Sequence, residues 1–404
     1  MNFPNQAVIL CGGQGTRLKH VSKNIPKPLI NLDGIPFLKY QINYLSQFPF
    51  KELILLCGYK KKKFENFVKN INQNKIPIKI IYEDKILGTG GAIINARKYL
   101  DDIFFLCNGD TFFEINLINF FNKFIKQKGD GIVALKKSYK NNRYGEVKVN
   151  RNKITSFSNY PVKKNKLYNC GYYFFKKKIF LGKKIKRSLE NEILPVVCKK
   201  HKIYYEVFKD ELIDIGIPKD LNYAKKYFNK YNKRKFIILD RDGVINKERN
   251  YVHKWKDFKL IPGILKLLKY LNKKKIPIFV VSNQAGVGKG YYKISDVDEL
   301  HNKFTKFLIS KKIYINKFYY CCHHKNAIIN KYKKDCLFRK PNNSFFKLIS
   351  DSWNLKSNNA LLLEDNLKNK GFASRSKIKF ILFDLKKNKN IYKFFLKSCK
   401  KFLL

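Results

Sequence analysis

A chain of 404 residues, 45% of them hydrophobic, has room for two or three domains, each with its own core. No apolar run reaches the roughly 20 residues that span a bilayer, and "MNFPNQAVILCGG" lacks the parts of a signal peptide, so a soluble cytoplasmic protein with no membrane partner is expected. The 85 Lys and Arg against 30 Asp and Glu give a net charge of +55, and the nine cysteines do not form a secreted disulfide pattern.

"QAVILCG" (Gln6 to Gly12) reads as a buried strand running into a glycine-rich loop, and "FLKYQINYLSQF" carries apolar residues at helical spacing. "KELILLCGY", "KIIYED" and "IFFLCNGD" follow as further strands. Strands alternating with helices imply a mostly parallel sheet covered on both faces, whose ligands bind at the carboxyl ends of the strands. The glycine-rich loop, "LGTGGAI" and "NGD" all fall at such ends. In the first of them, Gly12, Gly13 and Gly15 let the backbone turn tightly against a phosphate, while Arg17 and Lys27 can neutralise it. The spacing matches neither the dinucleotide fingerprint nor the P-loop.

The segment "KKYFNKYNKRKF" (Lys225 to Phe236) is charged and aromatic without a strand pattern, and the strand-then-loop pattern restarts behind it. This places a boundary near residue 230, with one domain over 1–230 and a second over 231–404. The second contains "FIILDRDGVIN", "IPIFVVSNQAG", "KFYYCCHH" and "NALLLEDN", then a basic tail, "LKKNKNIYKFFLKSCKKFLL", that reads as an amphipathic helix packed on its own domain. In "IILDRDG", a carboxylate at the end of a buried strand with a second two residues on suits nucleophilic phosphoryl transfer. Asp240 would attack phosphorus, and Asp242 would protonate the leaving alcohol and later activate water.

GGxGTRL followed by PKPLI resembles the signature of sugar nucleotidyltransferases, which join a sugar 1-phosphate to a nucleoside triphosphate and release pyrophosphate. The resemblance implies a mixed α/β sheet, a nucleotide-binding turn at Gly88, Gly90 and Gly91, and Mg²⁺ held by Asp110 of "NGDTFF" and Asp214 of "FKDELIDIGIPKD". It also implies catalytic roles for Arg17 and Lys27 and a sugar-facing strand with Asn169 and Gly171. Such chemistry needs charge neutralisation more than covalent help. One departure is plain: a Glu-Lys pair that grips the sugar in the family is replaced by Asn159 and Tyr160 in "FSNYPVKK".

The DxDG motif resembles haloacid dehalogenase-type phosphatases, which implies a second Rossmann-like domain with a parallel sheet. Ser282 and Asn283 of "VVSNQAG" and Arg339 and Lys340 of "FRKP" would then bind the substrate and its phosphoryl group. Asp365 would complete a Mg²⁺ site with Asp240 and the Asp242 carbonyl. "NYVH", "VVSNQAGVGKGYY" and "CLFRKP" narrow the resemblance to D-glycero-D-manno-heptose 1,7-bisphosphate phosphatases, whose relatives include histidinol-phosphate phosphatases. A loop zinc of that family would have Cys321, His323 and Cys336 here, with Phe338 at the fourth place. Glu364 stands where the family has glycine, and Asn369 replaces a later aspartate.

Together the halves imply two steps of GDP-heptose synthesis, with GTP and sugar phosphates as partners and no set oligomeric state. Removal of the 7-phosphate leaves heptose 1-phosphate, which the first half would guanylylate. The alternatives are the same pair acting on another sugar, a histidinol-phosphate-type second half, or a basic nucleic-acid binder on an enzyme scaffold. The last is disfavoured because a binder needs no nucleophile. Lysine far outnumbers arginine and is spread over both halves, so the charge reads as compositional drift with incidental attraction to anions, and no specific nucleic acid is expected.

Overall fold

The computed structural model describes residues 3–13, 25–58, 60–71, 76–83, 85–139, 143–182 and 185–403. They form two compact units, Met1–Phe228 and Asn229–Leu404. The division falls inside the helix Pro218–Asn232, so the charged stretch from Lys225 is helical rather than an extended linker.

In chain order the first unit holds β1 (Gln6–Leu10), a small β2–β3 hairpin (Asn31–Leu32 and Ile35–Pro36), β4 (Glu52–Cys57), β5 (Ile78–Tyr82), β6 (Ile103–Asn108) and β7 (Thr111–Phe113). Then come β8 (Gly131–Lys137), β9 (Gly145–Asn150), β10 (Lys153–Pro161), β11 (Leu167–Lys176), β12 (Ile203–Val207) and β13 (Leu212–Asp214). Nine of these build one sheet in the order β5-β4-β1-β6-β11-β8-β12-β10-β9. The first four are mutually parallel and buried on both faces at β1 and β4, as near-continuous apolar runs require. At β11 the direction reverses, because it pairs antiparallel with both β6 and β8. Beyond it β9 and β10 form a tight hairpin whose turn places Arg151 at φ 51°. The sheet is therefore mixed: the alternating pattern describes its first four strands, and beyond them the pairing is antiparallel except where β12 lies parallel to β8.

The second unit is simpler. Its strands β14 (Phe236–Leu239), β15 (Ile278–Asn283), β16 (Lys317–Cys321), β17 (Ala360–Glu364) and β18 (Lys379–Leu382) lie in the order β16-β15-β14-β17-β18, every pair parallel. β14 is central and entirely buried, so the residues just past Leu239 emerge at the middle of the sheet's carboxyl edge. The C-terminal helix Ile391–Leu403 inserts Ile391, Phe395, Cys399 and Phe402 into a core that includes Leu267 and Leu271 of the helix Ile264–Lys273. Among the described residues no helix is long and apolar enough to cross a membrane.

Candidate active sites

In the first unit the chain leaves β1 at Cys11, whose N–H still donates to Leu56 O at 2.8 Å. Gly12 follows in close quarters, since a Cβ there would lie 2.6 Å from Glu83 Oε1, whereas Gly13 faces open space. Gly15 and Arg17 lie outside the described residues. Lys27 opens a short 3₁₀ turn and sends its ammonium to within 3.5 Å of Asp110 Oδ2. Asp110 stands directly after β6 and Gly109, where any side chain would strike Leu10 O at 2.6 Å.

Asp214 arrives from the far end of the unit. β13 pairs antiparallel with β7, setting Asp214 opposite Thr111, and the Ile215 N–H donates to Asp110 O at 3.0 Å. One oxygen of Asp214 accepts from Arg143 and from the Gly216 N–H, both at 2.6 Å. Arg143 also pairs with Asp220 at 2.7 Å. Burial, and then the charge of Asp110, push the Asp214 carboxyl up to about 6. Two carboxylates brought together by the β7–β13 pairing have the donor chemistry that a divalent cation satisfies, so Asp110 and Asp214 fit Mg²⁺. Arg143 carries no sequence signal that would have singled it out.

At the turn expected to bind nucleotide, the glycines are hemmed in by the chain itself. A Cβ at Gly88 would lie 2.6 Å from Arg187 O, one at Gly90 would lie 2.4 Å from Ile193 Cδ1, and one at Gly91 would lie 2.5 Å from Ile185 O. The Gly90 and Gly91 N–H groups donate to Arg187 O at 2.9 and 3.3 Å. The chain's own 185–193 segment thus presses on this turn. On β11, a bulge between Asn169 and Tyr173 puts Gly171 at φ +71°, and a side chain there would meet Asn108 Nδ2 at 2.6 Å. Asn169 accepts from the Gly171 N–H at 3.0 Å and donates to the Tyr173 hydroxyl at 2.6 Å.

In the second unit, Asp240 sits at the end of β14 with its Oδ1 at 3.0 Å from Lys340 Nζ. The same ammonium is 2.7 Å from Glu364 Oε2, and Lys340 and Glu364 are both buried. Burial, then the Glu364 charge, hold the Asp240 carboxyl well above the ordinary range, while Lys340 opposes them. Asp365 is pushed up to about 7 by burial and by Asp240. Ligand atoms of Asp240, Glu364 and Asp365 lie within 4.8 Å of one another, an acidic set suited to Mg²⁺. The packing also dictates Gly243: at φ +81°, a Cβ there would overlap Asp365 Oδ2 at 1.7 Å.

Asp242 is held from three sides. The fully buried Arg241 donates to both of its oxygens, at 2.9 and 2.8 Å through Nη2. Asn246 Nδ2 and Gln284 Nε2 each add a bond of 2.9 Å. Gln284 also donates to Ser282 Oγ at 2.8 Å and accepts from the Tyr292 hydroxyl at 2.9 Å. Asn283 bonds the N–H and C=O of the Lys340 backbone through its amide, at 3.0 Å each, and so aims the lysine. Arg339 donates to His323 O at 3.0 Å.

That bond leads to the cysteine loop. Cys321, His323 and Cys336 bring their ligand atoms within 4.8 Å of one another. Phe338 does not complete the set; its ring lies 5.0 Å from that of Phe345 and is 41% exposed. Cys322 packs with Val287, Tyr292 and Val297, and His324 Nδ1 accepts from the Asn326 N–H at 3.0 Å. The donors present are one short of a closed tetrahedral zinc site, and they do not fit a structural zinc of that kind.

Residues 6–231 match the nucleotidyl transferase family, and residues 235–391 match the polynucleotide kinase 3 phosphatase family. A D-glycero-alpha-D-manno-heptose 1-phosphate guanylyltransferase of Campylobacter jejuni is 38% identical over 217 residues, 53% of this chain and 96% of the relative. A D-glycero-alpha-D-manno-heptose-1,7-bisphosphate 7-phosphatase of Campylobacter jejuni is 35% identical over 135 residues, 33% of this chain and 73% of the relative. Among solved structures, HddC from Yersinia pseudotuberculosis complexed with GMP-PN is similar at a TM-score of 0.49 and 34% identity, covering 55% of this chain and 99% of that one.

Proposed function

The chain belongs to the nucleotidyl transferase family and carries a haloacid dehalogenase-type phosphatase behind that domain, and we propose that it catalyses two consecutive steps of GDP-heptose synthesis. The phosphatase half removes the 7-phosphate of heptose 1,7-bisphosphate. The transferase half joins the resulting heptose 1-phosphate to a guanylyl group from GTP, making a donor for lipopolysaccharide or another surface glycan. One observation carries this reading. A single chain holds close relatives of two enzymes, and the product of one is the substrate of the other.

The geometry supports a division of labour in the phosphatase. A carboxylate oxygen of Asp240 attacks phosphorus as the bond to the sugar oxygen breaks, and Asp242 gives that oxygen a proton. Asp242 then takes a proton from the water that opens the aspartyl phosphate. Arg241, Asn246 and Gln284 hold its carboxylate in place for both transfers. Lys340, aimed by Asn283, balances the charge on the phosphoryl oxygens. In the transferase, the phosphate oxygen of heptose 1-phosphate attacks the α-phosphorus of GTP and pyrophosphate leaves. Lys27 and Arg17 offset the charge of the triphosphate, and the 11–13 backbone approaches it closely. Mg²⁺ held by Asp110 and Asp214, and by Asp240, Asp365 and the Asp242 carbonyl, would supply electrostatic stabilisation of the phosphoryl oxygens at each site.

The test is direct. The purified full chain with Mg²⁺, GTP and heptose 1,7-bisphosphate should release inorganic phosphate, then pyrophosphate, and form GDP-heptose. Pyrophosphate release from mannose 1-phosphate but not from heptose 1-phosphate would sink the sugar assignment.

The three-donor loop carries its own expected result. Dialysis against a chelator should strip zinc from the wild type, while Phe338→Cys, which supplies a fourth thiolate, should retain close to one equivalent by elemental analysis. One equivalent retained by the wild type would show that the loop closes by another route.

A further inference from the structure

The transferase site contains a carboxylate that the reaction above does not use. Residues Leu189–Ile193 form a π-helical turn ahead of the helix Leu194–Lys200, a wide turn of the kind that accumulates at functional sites. The turn sets Glu190 where three site elements meet. Thr89, of the nucleotide turn, accepts from the Leu189 N–H at 2.8 Å and donates to Glu190 Oε2 at 3.3 Å. Asn108, at the end of the strand that delivers Asp110, hydrogen-bonds the same carboxylate through its side chain. Asn108 Oδ1 is buried without a hydrogen-bond partner among the described residues. The Gly171 bulge leaves room for the Asn108 amide, and Tyr173, bonded to Asn169, lies close enough to feel the Glu190 charge. No lysine or arginine pairs with Glu190 among the described residues, although the chain carries 85 of them.

A partly buried carboxylate held by neutral donors, with no cation on it, keeps lone pairs for hydroxyl donors. We propose that Glu190 is the residue that accepts hydrogen bonds from the sugar hydroxyls in the transferase site, between the nucleotide turn and the Asn169–Tyr173 strand. The position that carries Asn159 and Tyr160 cannot supply such a carboxylate, and Tyr160 is 81% exposed. Charged acceptors for a sugar hydroxyl discriminate strongly, because a lost partner leaves the site's own polar group unsatisfied.

The inference rests on the sugar nucleotidyl transfer proposed above, and the experiment separates the two. In the full chain, Glu190→Ala should raise KM for heptose 1-phosphate at least ~10-fold while KM for GTP and the rate of phosphate release stay within about two-fold. Glu190→Asp, which keeps the charge, should recover part of the loss. A merely structural turn would move the two KM values together, and that result, or no change in either, would overturn the assignment. Failure of the wild type to release pyrophosphate from any sugar 1-phosphate would overturn the transferase reading and this assignment with it.

Discussion

Replacing Asp240 by asparagine is expected to lower phosphate release from heptose 1,7-bisphosphate by at least ~10⁴-fold, about 5 kcal/mol in barrier. An amide oxygen does not form the aspartyl phosphate, and no neighbour can take over. Glu364 is tied to Lys340 at 2.7 Å, and Arg241, Asn246 and Gln284 fix Asp242 in its acid–base position. The fold should survive. Asp240 ionises against burial and the charge of Glu364, so removing its charge relieves repulsion in the cluster even as Lys340 keeps Glu364 as partner. Thermal unfolding of the variant near the wild-type temperature, with pyrophosphate release from GTP and heptose 1-phosphate within about two-fold, is the companion observation. Phosphate release above one part in a hundred would remove Asp240 from the nucleophile's place.

The elements that carry this chemistry were legible because each is local. A buried apolar strand running into DxDG, or into GGxG, announces a strand end, and the doubly wound architecture assembles strand ends at one edge. Asp214 and Asp110 were readable as partners only through resemblance, since the β7–β13 pairing that unites them spans much of the unit. What the residues did not reveal was how side chains from distant elements share one another's charge. Arg143 bridges Asp214 and Asp220, and nothing near "RYG" suggests it. Glu364 looked like a lost glycine but is the second carboxylate on Lys340. Asn283 and Gln284, adjacent in sequence, turn to different tasks, one fixing the Lys340 backbone and the other the Asp242 carboxylate. The glycines of "LGTGGAI" match a nucleotide-binding turn by resemblance alone, and the press of residues 185–193 against them leaves no trace in the sequence. The reversal of the sheet at β11 has the same origin: periodicity records how a strand is buried, and its partner's direction leaves no trace in it.

The complementary substitution, Asp110→Asn, should lower pyrophosphate release at least ~10³-fold, about 4 kcal/mol, and leave phosphate release within about two-fold. The loss follows from charge. Asp110 and Asp214 are the carboxylates proposed to hold Mg²⁺ against the triphosphate, and an amide in place of one halves their charge. A second effect deepens it. The Asp214 carboxyl stands at about 6 because of burial first and the Asp110 charge next, with Arg143 pulling the other way. Removing the Asp110 charge lets Asp214 ionise more readily and bind Arg143, 2.6 Å away, more firmly, so the remaining carboxylate is less available to a cation. Lys27, now without its partner at 3.5 Å, is free to swing toward bulk water. Raising Mg²⁺ should therefore recover little of the rate in Asp110→Asn. Rescue to near wild-type turnover by Mg²⁺ alone would mean that Asp110 tunes affinity only, and loss of both activities in a folded variant would show that the two sites depend on one another.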